Sequence, residues 1–165
     1  MKKILCAFAA LTLSIACFAQ VNITKVDKVK PNDEMFMDMA VQAAKKSVAD
    51  GKAANGAVVI LNGAWRSTGL PTATETPEEN AISKSRRNSL SGATIYTVNA
   101  PTSKAINAIN ASGADAVYFV NPSADVVAAG IYTDADYNPE LIVETDNPVP
   151  VFQIYYAPAV ELLKK

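Results

Sequence analysis

There is no histidine anywhere in the 165 residues, and the only cysteines are Cys6 and Cys17. These two absences remove most familiar hydrolytic chemistry. Neither a Ser-His-Asp nor a Cys-His nucleophile can be assembled, and the usual proton carrier for neutral pH is missing. A tetrahedral zinc site would have to be made of carboxylates alone, which is rare. Any reaction therefore falls to Asp, Glu, Lys, Tyr, Ser or Thr. An excess of one charge is lacking too. With 15 basic residues against 16 acidic ones, neither a nucleic-acid groove nor a polybasic membrane contact is indicated. Internal repeats and low-complexity segments are also absent.

The first residues read as a leader and not as part of the fold. Met1-Lys2-Lys3 is a positive n-region, and the apolar run Ile4–Ala16 is too short to span a bilayer as an ordinary helix. Cys17 and Ala19 are small residues three and one before Gln20, the pattern of a secretory signal cut after Ala19. The expectation is a secreted or periplasmic protein. A lipid anchor on Cys17 is the alternative, because "LSIAC" loosely resembles a lipoprotein box. Cleavage leaves no cysteine unless Cys17 is kept as that anchor. Without Lys2 and Lys3 there are 13 basic residues against 16 acidic, a net charge of −3. An exported chain without disulfides must be held by its core alone.

Half of the residues are apolar, enough for one domain with a substantial core. The expected organisation is a leader over 1–19, a polar lead-in over 20–30 and one domain over 31–165. "PNDE" opens a helix, with Asn32 able to cap and Asp33 and Glu34 at the positive end of the dipole. Phe36, Met39, Ala40, Ala43 and Val48 recur at helical spacing, and Gly51 can end the helix. "AVVIL" at Ala57–Leu61, then Asn62-Gly63 and a return over Ala64–Ser67, read as a hairpin. In "TPEENAI" Thr76 fits the N-cap, Pro77 the first helical position and Glu79 the reciprocal capping residue. Strand Ala93–Val98, helix "TSKAINAINASG" and strand Asp115–Val120 form a βαβ unit with parallel strands. A short helix at Ser123–Gly130, a loop at Thr133–Glu140, an extended "VPVFQIYY" and a terminal "PAVELLKK" helix complete the chain. The class is α/β: three layers, α/β/α, with a mixed sheet.

Several segments together resemble the cytidine and guanine deaminase superfamily, above all its guanine and tRNA-adenosine deaminase branch. "FMDMAVQAAKKSV" looks like that family's first helix. "NGAVVILNG" looks like its "FGAVVV" hairpin, with Asn55 in place of the aromatic. "TPEENAI" falls on the helix of the H-x-E motif, and "YTVNAPTSKAINAI" on the strand and helix of P-C-x-x-C. "ADAVYFV" and "VPVFQIYYAPAVELLKK" resemble the next strand and the C-terminal segment. In the family the His and two Cys hold zinc and the Glu moves protons. Here the His position falls on Thr76, the Cys positions on Thr102 and Ala105, the Glu on Glu78 and the Pro on Pro101.

The resemblance implies a cytidine-deaminase-like fold with the metal ligands lost, so no cofactor is expected. Zinc brings the pKa of its water to about 7. A carboxylate alone contributes typically about 10²–10⁴-fold as a general base, short of ordinary enzymatic acceleration. The expected function is therefore non-catalytic binding of a nucleobase-like or nucleoside-like small molecule, or of a protein partner, homodimerisation included. The alternatives are a hydrolase using Glu78, or an assembly module. Glu78 by itself reads as an ordinary first-turn helix residue, Thr102 as an N-cap and Ala105 as an apolar filler. Asn55, Thr76, Asn99 and Thr102 would line the relict cleft with Glu78. Trp65 would face it or belong to the core or an interface. "DADYNPE" has calcium-like spacing at Asp134, Asp136, Asn138 and Glu140, but Pro139 replaces the required Gly, so it reads as a solvated loop.

Overall fold

A computed structural model describes residues 19–121, 141–143 and 145–163. The leader up to Phe18, the Ser123–Gly130 helix and the Thr133–Glu140 loop lie outside those residues. The described elements are β1 (Ala19–Val21), β2 (Ile23–Lys25), α1 (Pro31–Ala49), β3 (Ala57–Leu61), β4 (Ala64–Gly69), α2 (Pro77–Ser85), β5 (Ala93–Asn99), α3 (Ser103–Ser112), β6 (Ala116–Asn121), β7 (Leu141–Val143), β8 (Val151–Gln153) and α4 (Ala157–Leu163).

Six strands form one sheet in the order β2-β8-β6-β5-β3-β4, and β1 pairs with β7 beside it. Strands β2, β8, β6 and β5 run parallel, β3 runs against them, and β4, antiparallel to β3, runs with them again. The β5-α3-β6 unit is the expected parallel crossover, since two parallel neighbours need a connection long enough to carry the chain back, here a helix. The hairpin turns on Asn62 and Gly63, both at positive φ (51° and 78°). That is the conformation a two-residue turn needs to match strand twist.

Strand alternation sends side chains to two cores. On one face Val59, Ile95, Val117, Phe119 and Val151 pack with Ala81 of α2 and Ile106 and Ile109 of α3. On the other, Val58, Ile60, Tyr96, Val98 and Val120 pack with Phe36, Met37, Ala40 and Val41 of α1 and Ala159 of α4. Phe36, Tyr96, Tyr118 and Phe152 form a row across this second face, with successive ring centroids 5.4, 5.1 and 4.9 Å apart. The result is a three-layer α/β/α domain with a mixed sheet.

Three local readings are corrected. Helix α1 starts at Pro31 and not after Asn32, with Lys30 at the N-cap and no side-chain cap. Proline has no N–H to orphan and its fixed φ suits the first position. Asp33 instead accepts the Tyr96 hydroxyl at 2.7 Å, fastening the helix start to the sheet. The buried stripe is also rotated: Met37 and Ser47 are inside, while Val48 is 48% exposed. Finally, the lead-in contributes strands. In "VNITK" Val21 and Ile23 are buried and Asn22 and Thr24 exposed, and β2 forms the sheet's parallel edge beside β8.

Candidate functional site

The local sequence sets up two helix starts. At Thr76 the chain is extended, and its Oγ1 accepts the Glu79 N–H at 3.3 Å. The Glu79 carboxylate accepts the Thr76 N–H at 2.7 Å. This is the reciprocal capping box read from "TPEE". At Thr102 the chain is again extended, and Oγ1 accepts the Ala105 N–H at 3.2 Å. The two starts meet. The Lys104 ammonium lies 3.1 Å from Glu79 Oε2 and donates to the Thr74 carbonyl at 2.7 Å. Partial burial opposes ionisation of Glu79, but the Thr76 N–H and the Lys104 ammonium outweigh it and hold its carboxyl below the usual range.

Because the capping box directs Glu79 outward, the preceding residue turns toward the sheet. Glu78 is only 2% exposed. The Thr97 hydroxyl of β5, itself fully buried, stands 2.7 Å from Glu78 Oε1. The reading of Glu78 as an ordinary first-turn residue is therefore corrected: the sheet beneath α2 encloses it. Thr97 Oγ1 is also 3.4 Å from Asn55 Oδ1. That oxygen accepts the backbone N–H of Gly56 at 2.9 Å and of Asn99 at 3.2 Å. Asn99 Oδ1 is buried without a hydrogen-bond partner. Glu78, Thr97, Asn55 and Asn99 thus converge at the C-terminal end of β5, where its neighbours change from parallel β6 to antiparallel β3.

The expected cleft residues separate into two groups. Asn55, Asn99 and Glu78 belong to one hydrogen-bonded network, and Thr76 stands at its rim. Thr102 is exposed at the start of α3, and Ala105 is fully buried. Trp65 is not at this site: it lies on β4 at the sheet's edge, 56% exposed. Thr97 escaped the sequence reading. Its only signal is a polar residue at an inward position of the mostly apolar run "ATIYTV", which also contains Thr94.

The Thr97 hydroxyl has one proton and two acceptors near it. With Glu78 ionised, that proton goes to the carboxylate, and Thr97 and Asn55 face each other oxygen to oxygen. With Glu78 protonated, a chain runs from Glu78 through Thr97 to Asn55, every group satisfied. Burial pushes the Glu78 carboxyl up from about 4.5, partly offset by bonds from Thr97, its own N–H and Thr76. A raised folded-state pKa means the native chain keeps a proton that the unfolded chain releases. Stability should thus fall as pH rises above about 4.5, by at most about 1.4 kcal/mol per pH unit, until the folded pKa is passed. Glu78→Gln carries no such proton and should flatten this part of the pH–stability curve, measured by urea unfolding at stepped pH. Parallel curves for the two proteins would mean that Glu78 is already ionised in the native state.

Compared with solved structures, the chain matches a transfer-RNA deaminase responsible for A-to-I editing at the wobble position. The TM-score is 0.60 at 20% identity, over 78% of this chain and 98% of that one. It matches a guanine deaminase from Bacillus subtilis with a TM-score of 0.54 at 27% identity, over 59% and 69%. A dCMP deaminase from the cyanophage S-TIM5 matches with a TM-score of 0.51 at 19% identity, over 76% and 99%. The chain has the cytidine/guanine deaminase-like fold. No protein-family model matches it, and no curated protein matches it in sequence.

A deaminase-like fold raises the question of zinc, and the residues here do not fit that metal. At the three positions where the resemblance puts ligands, two hydroxyl oxygens serve as helix caps and the third side chain is a buried methyl. Among the described residues no group of three or more His, Cys, Asp or Glu is placed to hold a metal ion.

Proposed function

We propose that this is an exported, metal-free protein of deaminase fold that lacks deaminase activity and binds a nucleobase-like or nucleoside-like small molecule. The observation carrying this reading is the contrast at the end of β5. The ligand positions are occupied by two capping threonines and a methyl, yet a polar cluster of buried Glu78 and Thr97 with half-buried Asn55 and Asn99 stands beside them. Buried polar groups that converge and include an unpartnered oxygen cost stability unless something uses them. Neighbours of the same fold act on adenosine in transfer RNA, guanine and dCMP, which supports a purine- or pyrimidine-sized ligand.

A thermal-shift screen of nucleobases and nucleosides tests the binding. At 100 times its Kd a ligand stabilises by about 2.7 kcal/mol, and Asn99→Ala should reduce that shift. Cytosine, cytidine, guanine and adenosine should release no ammonia. No shift with any of them would leave an assembly module as the better reading.

One observation favours a second reading, a hydrolase. A buried carboxyl with a raised pKa, hydrogen-bonded to a hydroxyl, is the kind of group that serves as a general acid or base. Ammonia release by the wild type that Glu78→Gln abolishes would establish that reading and displace the first.

A further inference from the structure

A groove of about 520 Å³ runs beside β4 and shares no residue with the cluster at the end of β5. Helices α1 and α2 pack on opposite faces of the sheet, yet residues of both line the groove, so it opens round the β4 edge. Its α1 wall follows from helical spacing. Asp38, Gln42 and Lys46 recur every four residues as a polar row, and Met39 and Ala43 form the apolar row beside it. From Asp38 to Lys46 this wall is about 12 Å long, at about 1.5 Å of rise per residue. Leu70, just past β4, adds apolar surface, and Lys84 of α2 adds a second ammonium. Small-ligand sites have this size and this mostly apolar lining with a few polar groups.

We infer that this groove binds a small amphiphilic anion, a medium-chain monocarboxylate, with its chain along Met39, Ala43 and Leu70. Charge complementarity supplies the argument for the occupant. Two ammonium groups, Lys46 and Lys84, stand against one carboxylate, Asp38. Asp38 is already engaged, accepting the Tyr156 hydroxyl at 3.1 Å. Lys46 has an exposed ion pair with Asp50 at 3.3 Å, a kind worth little in water. Lys84 has no ion pair among the described residues. A carboxylate is therefore drawn to the lysines and away from the Asp38 end, which orients the chain along the wall. A cationic amphiphile would meet both ammonium groups, and a neutral one would leave Lys84 unused. A strand added to the bare β4 edge is disfavoured, because lysines beside an edge are a usual guard against such pairing. Met39, flexible and polarisable, can fit itself to an alkyl chain. The inference is independent of any ligand at the end of β5.

Trp65 is the only tryptophan, and its indole N–H donates to Thr68, a residue of the groove, at 3.0 Å. Calorimetric titration with sodium decanoate measures binding, and Trp65 emission locates it. Decanoate should bind saturably and change that emission. Octanoate, two methylenes shorter, should bind more weakly by about fourfold per methylene. Lys46→Gln/Lys84→Gln, at exposed positions, should raise the decanoate Kd about fivefold or more and leave that of decanol unchanged. Leu70→Glu should weaken both ligands, and Asn99→Ala neither. The absence of saturable decanoate binding up to about 10 mM would overturn the inference. So would equal binding of decanoate, decanol and decyltrimethylammonium, or decanoate binding that ignores the double lysine variant. A Trp65 response to a strand-forming peptide and none to decanoate would assign the edge to a strand partner and equally overturn it.

Discussion

The variant Thr76→His/Thr102→Cys/Ala105→Cys is expected to purify with one zinc ion per chain, and the wild type, on the proposed reading, with none. The spacing of two of these positions, and their tie to the helix start that carries the third, are already in place. Thr102 and Ala105 are three residues apart on the first turn of α3, and the Ala105 N–H reaches the Thr102 oxygen at 3.2 Å, so two cysteines there share one helix face. A helix N-terminus also favours the thiolate that binds metal. Thr76 opens α2, which is held to the start of α3 through Glu79 and Lys104. Three protein ligands with one open position is the arrangement of catalytic zinc sites. The substitutions remove two caps, at about 1 kcal/mol each, so the metal-free triple variant should melt below wild type. Zinc should reverse that loss, since structural zinc binding is worth about 10–16 kcal/mol in small domains. Elemental analysis after dialysis against a mild chelator, with melting curves with and without zinc, measures both effects. A folded triple variant that takes up no zinc would show that these positions do not correspond to a metal site. Stoichiometric zinc in the wild type would refute the metal-free reading outright.

How much of this was legible beforehand depends on the distance over which each feature is determined. The capping box at Thr76 and Glu79, the cap at Thr102 and the Asn62-Gly63 turn are local, and each formed as "TPEE", "TSKA" and "NG" dictate. The three layers followed from the order of apolar runs. The environment of Glu78 did not, because it is set by a strand residue 19 positions away. A Glu in a first helical turn looks alike whether water or β5 lies beneath it. The Asn55–Asn99 bond spans 44 residues and likewise leaves no local trace. Strand β2 was hidden for another reason: three residues with one buried apolar side chain in a charged stretch look like a tail until Val151 is known to lie beside Ile23. The stripe of α1 was misplaced by one residue because Ser47, although polar, can be buried by donating to the Ala53 carbonyl at 2.6 Å. That leaves the more apolar Val48 outside.

Gly69→Ala should be the most damaging single-methyl change in the domain. Gly69 closes β4 opposite Ala57, where α2 crosses the strand. A Cβ there would collide with the Pro77 carbonyl oxygen and the Ala81 nitrogen, and would sit 2.9 Å from the Ala81 Cα. All three are backbone atoms, so no side-chain rotation can relieve the contact, and α2 must lift as a unit. Lifting it strains the Ser67 Oγ–H bond to the Ala81 carbonyl (2.7 Å) and the Leu70 N–H bond to Asn80 (3.2 Å). It also draws Glu78 away from Thr97. Alanine would gain about 0.4–1 kcal/mol by restricting the unfolded chain. Overpacking costs typically about 1–3 kcal/mol and occasionally more, and contacts with rigid backbone put this one at the upper end, so the clash wins. A loss of that size is a large fraction of the roughly 5–15 kcal/mol a domain has. Urea unfolding should show a much lower midpoint with an unchanged slope, and the pH dependence assigned to Glu78 should weaken with it, because that carboxyl is buried only while α2 is seated. A Gly69→Ala midpoint equal to wild type would mean that α2 does not rest on β4 at this depth, and the enclosure of Glu78 would fall with it.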